Sequence, residues 1–159
     1  YVRWLRSRLN ELFSAEDARE SPRRIYVSRS QASHRQLENE SDVQAVLSHS
    51  GYEVHHPETR SPLEQATLFR GADQVAGVHG AGLANILYAS DAHLLEFFPN
   101  QPLCHYRWLC ESCGHAYQNI TPENPQTDKH GNFALPVKQL KSLLRREPDR
   151  PSAGKTSDP

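Results

Sequence analysis

The sequence contains no methionine, and no apolar run approaches the roughly 20 residues that a transmembrane helix needs. A signal peptide is also missing, and the chain begins inside a helical pattern at Tyr1. We therefore interpret the chain as a fragment of a longer protein. On that interpretation, missing targeting signals leave its cellular location open.

An excess of charge of one sign is lacking too, because 18 Lys and Arg residues stand against 19 Asp and Glu residues. Such a balance produces no long-range field that would attract nucleic acid or an acidic membrane surface. We expect no nucleic-acid partner and no membrane span in this chain. Its 159 residues are enough for one domain with a real core.

The three cysteines are too few, and odd in number, for a disulfide framework. Cys110-x-x-Cys113 with His105 and His115 nearby could indicate zinc, but a structural zinc site usually draws on two such pairs. The segment also fits an amphipathic helix, on which Cys104 and Cys110 are small apolar residues. We expect no metal site, and unpaired cysteines favour a reducing cytoplasm.

Short apolar strands alternate with helical patterns along most of the chain, which is typical of a mainly parallel sheet with helices on both faces. The sequence thus predicts an α/β, Rossmann-like fold over 23–146, preceded by a leading helix and linker (1–22) and followed by a disordered tail (147–159). The predicted strands are 24–28, 52–56, 74–78, 93–98 and 116–120. Four of the predicted helices are 1–13, 83–89, 102–114 and 137–144. A fifth begins at Asn39 or Ser41 as the capping residue and ends before Gly51. A sixth begins at the capping box Ser61-Pro62-Leu63-Glu64.

The stretch from Gln74 to Asn85, QVAGVHGAGLAN, organises the rest of the chain. A buried strand leads into His79-Gly80-Ala81-Gly82, and a helix follows. Two glycines allow a tight turn that exposes backbone N–H groups, and the helix directs its positive dipole end at them. This junction is typical of a phosphate site, although a plain tight turn is the alternative. Asn85 stands at the position of the third glycine of the dinucleotide fingerprint, which argues against NAD.

Charged residues follow or interrupt the predicted strands. The strand ending at Ser28 runs into Arg29, and Arg35 lies a few residues on. Because ligands of open α/β sheets bind outside the carboxyl ends of the strands, these arginines are candidate anion contacts, although most arginines are simply exposed. Glu96 lies in an apolar strand, where an acid needs a partner. It is either a satisfied structural acid or a contact to a ribose diol.

Four motifs in this order resemble the carboxyl-terminal half of glycosyltransferase family 61. They are Tyr26-Val27-Ser28-Arg29, Arg35-x-x-x-Asn39-Glu40, Val78-His79-Gly80-Ala81-Gly82-Leu83-x-Asn85, and Leu95-Glu96-Phe97-Phe98-Pro99. The family includes EGF-domain O-linked N-acetylglucosamine transferase, xylan xylosyl- and arabinosyltransferases and bacterial capsular polysaccharide proteins. The likeness covers about Arg24 to Ile120. It departs from the common pattern at Ala84, where a threonine is usual.

The resemblance implies a GT-B architecture, of which this chain holds the donor-binding half. Gly80, Ala81 and Gly82 would then offer backbone N–H groups to the diphosphate of a sugar nucleotide. His79 and Arg29 would act in catalysis, by neutralising charge on the leaving diphosphate. His79 could instead be a neutral loop histidine bonded to backbone.

The resemblance assigns the remaining donor-binding candidates in the same way. Arg35 is a second candidate for the diphosphate, and Glu96 would accept hydrogen bonds from the ribose hydroxyls. Asn85 could hold the loop or touch the sugar. Asn39 and Glu40 belong to the donor-binding set, or are structural, capping a helix and pairing with arginine.

The implied activity is inverting transfer of a sugar from a nucleotide-diphosphate sugar, with a UDP-sugar as the expected donor, to a hydroxyl of a glycan or glycoprotein acceptor. No metal or other cofactor is expected. No general base is evident, so turnover would need the absent amino-terminal acceptor domain. The alternatives are a non-catalytic nucleotide-binding module and an NAD-binding Rossmann domain. We expect a cytoplasmic, bacterial and membrane-peripheral enzyme, or a Golgi or endoplasmic reticulum lumen protein if an anchor preceded the chain.

Overall fold

A computed structural model of the chain describes residues 2–11 and 21–145. Strands and helices alternate along these ranges. The strands are β1 (Arg24–Val27), β2 (Glu53–His55), β3 (Gln74–Val78), β4 (His93–Phe97) and β5 (Ala116–Ile120). The helices are α1 (Val2–Glu11), α2 (Glu40–His49), α3 (Pro62–Gly71), α4 (His105–Cys113) and α5 (Val137–Leu144), with 3-10 helices at Pro57–Thr59 and Ala81–Tyr88.

The five strands form one sheet in the order β2-β1-β3-β4-β5, and every neighbouring pair is parallel. The register is continuous, since Tyr26 pairs with Ala76, Ala76 with Leu95, and Leu95 with Gln118. All carboxyl ends therefore meet at one edge of the sheet. The predicted α/β, Rossmann-like fold is confirmed, and so is the edge position expected for the short strand β2.

Each face of the sheet buries its own hydrophobic cluster. Successive strand residues point to opposite faces, so Tyr26 packs with Val43 and Leu47 of α2, whereas Ile25 packs with Phe69 of α3. Helices α2 and α5 cover the first face. The second face is covered by α3, the 3-10 helix Ala81–Tyr88 and α4, where Cys110 is a fully buried core residue. Its predicted role as an apolar packing residue is confirmed, but Cys104 is exposed.

Several local signals in the sequence are confirmed. Ser61 and Glu64 form both hydrogen bonds of the capping box at the start of α3. Gly51 follows α2 with φ of +82°, the left-handed conformation that a glycine adopts at little cost. Helix α5 has the predicted bounds.

Three helix predictions need correction. Asn39 occupies the N-cap position of α2, as predicted, but its side chain makes no capping hydrogen bond, because it bonds the segment around Leu135 instead. The helix after the glycine loop is a 3-10 helix that begins at Ala81, two residues early. Helix α4 begins at His105 and not at Pro102; Leu103, which belonged to the predicted apolar face, is exposed.

The leading helix α1 is attached to the domain through Arg6. Its Nη1 donates to the Cys113 carbonyl at 2.5 Å, and its Nη2 donates to the carbonyls of Ala89 and Ser90 at 2.7 and 2.8 Å. A cation at the carbonyl ends of two helices is favourable, because those carbonyls lack helical partners and carry partial negative charge. The predicted tail, 147–159, lies outside the described residues.

Candidate functional site

An open cleft of about 440 Å³ lies at the carboxyl edge of the sheet, where the chain leaves β1 and β3 toward opposite faces. In an open α/β sheet, this reversal of strand order is where ligands bind. Loops after three strands line the cleft. Its walls include Ser28, Arg29, Pro57, Glu58, Gln65, Gly80, Ala81, Gly82 and Asn85.

Arg29 lies across the glycine loop with an incomplete set of partners. One Nη2 hydrogen bond goes to the His34 carbonyl at 3.0 Å, while Nε is buried with no partner. No carboxylate within the described ranges forms an ion pair with this guanidinium. Burial, followed by the nearby charge of Arg35, lowers the pKa of Arg29. An arginine remains protonated in proteins, so the cleft contains a cation that an anion would stabilise.

Gly80 is required by the position of Arg29 and not by an unusual backbone conformation. Its φ of 177° is extended, and a Cβ at this position would collide with Arg29 Nη1 and lie 3.0 Å from Cζ. The predicted tight turn is present, since the Leu83 N–H donates to the Gly80 carbonyl at 3.0 Å, but the close approach of Arg29 is what requires a glycine at this position. The N–H groups of Ala81 and Gly82 open a helix, where no intrahelical acceptor exists for them.

His79 and Tyr117 are brought to Glu96 by the register of three strands. Glu96 pairs with Gly77 and Asn119, so His79 and Tyr117 are its diagonal neighbours on the same face, within reach of long side chains. Nδ1 of His79 lies 2.5 Å from Glu96 Oε1, and Tyr117 Oη donates to Glu96 Oε2 at 2.8 Å.

Glu96 is fully buried inside β4, and both of its carboxyl oxygens have partners. The sequence left Glu96 as either a satisfied structural acid or a contact to a ribose diol, and these two partners support the structural interpretation. In the structure, a ribose would have to displace His79 or Tyr117 to reach it. Burial raises the pKa of Glu96 to about 7, whereas the hydrogen bond from Tyr117 acts in the opposite direction.

The His79 ring is fixed between aromatic neighbours. It stacks on Phe98 with ring centroids 5.1 Å apart and an interplanar angle of 23°, and it lies 5.3 Å from the Tyr106 ring. Burial lowers the pKa of His79, and the charges of Arg35, His105 and Arg29 lower it further. With Nδ1 bonded to Glu96, the nitrogen left for a ligand is Nε2. The histidine is thus held by a side chain and not by backbone, contrary to the alternative reading of a loop histidine.

Arg35 contributes charge close to Arg29 and His79, since it affects the pKa of both. Its backbone adopts φ of +56°, a left-handed conformation that non-glycine residues rarely take, and its N–H donates to the His130 carbonyl at 3.1 Å. Of the three predicted cationic side chains, Arg29 lines the cleft and lies against Gly80, whereas Arg35 and His79 are absent from the cleft lining and Arg35 acts on the other two through its charge.

Asn39 and Glu40 serve the framework of the site. Asn39 exchanges two hydrogen bonds of 2.9 Å with the backbone of Leu135. Glu40 accepts from Ser28 Oγ at 2.5 Å and from Tyr26 Oη at 3.0 Å, and it forms no ion pair with an arginine within the described residues. The structural alternative for both residues thus has geometric support, through partners other than those expected.

Asn85 lines the cleft and donates to Gln65 Oε1 at 2.7 Å, which ties the 3-10 helix to α3. The sequence did not predict a role in this region for four residues: Glu58, Gln65, Tyr106 and Tyr117. Tyr106 Oη donates to the Gly80 carbonyl at 2.8 Å. A tyrosine in a helix or a strand is usually a packing residue, so only a three-dimensional arrangement could reveal these roles.

Two features are absent from residues 2–11 and 21–145. No helix there is long and apolar enough to cross a membrane. No group of three or more His, Cys, Asp or Glu side chains there could hold a metal ion, and Cys110 and Cys113 are free thiols.

The parallel sheet and its cleft at the reversal of strand order define a Rossmann-like α/β protein. The family described as Glycosyltransferase 61 matches residues 1–94, which is more than half of the chain. The chain belongs to glycosyltransferase family 61, as the motifs indicated. The match includes Arg29, Arg35 and the glycine loop and ends within β4, before Glu96. None of the curated proteins compared with the chain matches it.

Proposed function

We propose that this chain binds a nucleotide-diphosphate sugar in the cleft and forms the donor half of an inverting GT-B glycosyltransferase. Membership of family 61 supports glycosyltransferase activity in general. The observation that carries the donor site is Arg29, whose buried Nε lacks a partner and whose guanidinium lies over Gly80. Buried polar atoms are normally hydrogen-bonded, and a diphosphate oxygen would supply the missing acceptor.

The diphosphate would lie between Arg29 and the loop of Gly80, Ala81 and Gly82. Arginine and backbone N–H groups both bind phosphate oxygens well, because charge-assisted hydrogen bonds are strong and the start of a helix has free donors. Arg35 and Nε2 of His79 would add positive charge. Asn85 and Gln65 would border the ribose or sugar. We propose a UDP-sugar as donor and binding without a metal ion.

In the proposed reaction, an acceptor hydroxyl attacks the anomeric carbon of the sugar while the bond from that carbon to the diphosphate oxygen breaks. Negative charge grows on the departing diphosphate, and Arg29 and His79 would stabilise it by interactions already oriented in the ground state. The hydroxyl proton goes to a general base. We place that base in an amino-terminal acceptor domain of a longer protein, with residues 23–146 as the donor domain.

The test is a calorimetric titration of the chain with UDP, GDP, CDP and NAD, each with and without manganese. We expect one nucleoside diphosphate, UDP, to bind and the affinity to be indifferent to manganese. A response to none of the four would overturn the donor site, and preferential binding of NAD would replace it with a dinucleotide site. Transfer activity of a longer protein containing this chain would separate an enzyme from a non-catalytic binding module.

A further inference from the structure

Three side chains form a hydrogen-bonded row from β5 through β4 to the residue that precedes Gly80: Tyr117, Glu96 and His79. We propose that Tyr117 and Glu96 are positioning residues that orient His79, and that the His79–Glu96 pair takes up one proton when a diphosphate binds. The inference rests on the proposed function. Its geometry is the pair of contacts described above, 2.8 Å from Tyr117 to Glu96 and 2.5 Å from Glu96 to His79.

A contact of 2.5 Å between a ring nitrogen and a carboxyl oxygen requires a hydrogen between them. The hydrogen belongs either to a neutral imidazole beside a carboxylate, or to a pair that carries one additional proton. Glu96 is fully buried, and the His79 side chain is 13% exposed. The two residues thus form one titrating unit directly before the glycine loop, since close groups of this kind share their protons.

The surroundings oppose the additional proton on His79 in the absence of a ligand. Burial disfavours an imidazolium, and so do the charges of Arg35, His105 and Arg29. Burial disfavours a bare carboxylate at Glu96. The titratable and charged groups that act on or contact the pair are Arg29 and Arg35 after β1, Tyr117 in β5, and His105, Tyr106 and Cys110 in α4.

A bound diphosphate would favour the additional proton on the His79–Glu96 pair. Its negative charge neutralises the charges of Arg29 and Arg35, and it stabilises a protonated imidazole at His79. The sign follows from the pKa of Glu96, which burial raises to about 7. Below that pH the free pair already holds the additional proton, and above it the free pair has lost it. The bound pair keeps it to higher pH. Proton uptake therefore accompanies binding above about pH 7, and affinity falls as the pH rises.

The experiment measures the heat of UDP binding to the full chain at about pH 8, where a terminal phosphate with a pKa of about 6 is fully ionised. Two buffers with different ionisation enthalpies give the number of protons taken up. We expect uptake near one proton per UDP in the wild type and near zero in Glu96→Gln. Tyr117→Phe should reduce the uptake, because it removes the bond that holds Glu96 in place.

Two matched variants separate this role from general effects. Tyr52→Phe removes another buried tyrosine hydroxyl, which donates to Gln74 at the opposite edge of the sheet, and should leave the uptake unchanged. His105→Gln removes the neighbouring imidazole and should also retain the uptake, because the proton goes to His79. Loss of uptake in His105→Gln but not in Glu96→Gln would transfer the role to His105 and overturn the proposal.

Failure of the inference differs from failure of the proposed function. UDP binding with no proton uptake in the wild type, or with equal uptake in Glu96→Gln, would overturn only the inference. Absence of binding by UDP, GDP and CDP would overturn both. If Glu96→Gln does not fold, the comparison of Tyr117→Phe with Tyr52→Phe decides, and equal uptake in the two would contradict the proposal.

Discussion

The guanidinium of Arg29 occupies the space next to the Cα of Gly80 in which any larger residue would place its Cβ. The same side chain reaches the His34 carbonyl and leaves Nε buried without a partner. The glycine loop and the arginine are therefore one structural unit, although 51 positions separate them in the sequence (80 − 29). Single and double substitutions at the two positions can therefore measure how strongly they are coupled.

Gly80→Ala should weaken UDP binding while leaving the fold intact, because the obstructed atoms belong to the end of a flexible side chain. The expected loss is about 1–3 kcal/mol, the range for a charged hydrogen bond. Calorimetry on the single and double variants tests the coupling. In an Arg29→Ala background, Gly80→Ala should cost little more. Fully additive losses would show that the glycine acts independently of Arg29.

Arg29→Ala should weaken UDP binding by about 1–3 kcal/mol, and Arg29→Lys should restore little of it. A lysine presents a single point charge and lacks the fork of donors that reaches both the His34 carbonyl and a ligand. Arg23→Ala is the matched control, since Arg23 pairs with Asp73 at the amino edge of the sheet, away from the cleft. Equal affinity in Arg29→Ala and the wild type would remove Arg29 from the site.

Asn39→Ala should lower the free energy of unfolding by about 1–3 kcal/mol, because it leaves the N–H and carbonyl of Leu135 without partners. Urea unfolding followed by circular dichroism measures the change. Ser48→Ala, on the exposed face of α2, is the control and should have little effect. A variant with wild-type stability but lower UDP affinity would favour the donor-binding role that the motif suggested.

His115 should make the fold sensitive to acid. The ring accepts a hydrogen bond from the Ala92 N–H at Nδ1 and lies 3.2 Å from the Ile86 carbonyl at Nε2, which requires the neutral form. Burial lowers its pKa to about 4. Stability that depends on neutral His115 is present above the unfolded pKa of about 6.5 and is lost as the pH falls toward 4. We expect His115→Gln to flatten the acid limb of the unfolding free energy, relative to the control His49→Gln.

Glu96 should lower the free energy of unfolding as the pH rises, whereas His115 lowers it as the pH falls, and the two pH ranges overlap. Its folded-state pKa of about 7 lies above the usual value for a glutamate. The corresponding stability is present at pH values below the unfolded pKa, and it is lost as the pH rises through about 7. The difference in unfolding free energy between wild type and Glu96→Gln, measured from about pH 4 to pH 8, should shift against the wild type as the pH rises. A difference that does not change with pH would contradict the raised pKa.

Local chemistry made much of the fold predictable. The capping box at Ser61, the left-handed Gly51 and the apolar period of the strands are short-range features, and each predicts its element without reference to the rest of the chain. The bounds of β3 and β5 follow from the same patterns. The helix after the glycine loop was predicted by position but not by type, because a choice between α and 3-10 hydrogen bonds depends on what the segment packs against.

The candidate site divides in a similar way. Arg29, His79 and the glycine loop follow strand ends, and parallel strands bring their carboxyl ends to one edge, so sequence order alone predicts their meeting. Glu96 was predicted to matter, but its neighbours depend on the register of three strands, which pairs it with Gly77 and Asn119. A shift of one residue would turn it to the other face of the sheet.

The sequence by itself determined the alternation of strands and helices, the glycine loop that follows β3, and the family, because these depend on local pattern and residue identity. Only the tertiary structure decided that Gly80 makes room for Arg29, that Asn39 holds Leu135, and that Glu96 connects Tyr117 to His79. Those contacts join segments far apart in the chain. Their geometry is fixed by the packing of the sheet, and no short stretch of residues encodes it.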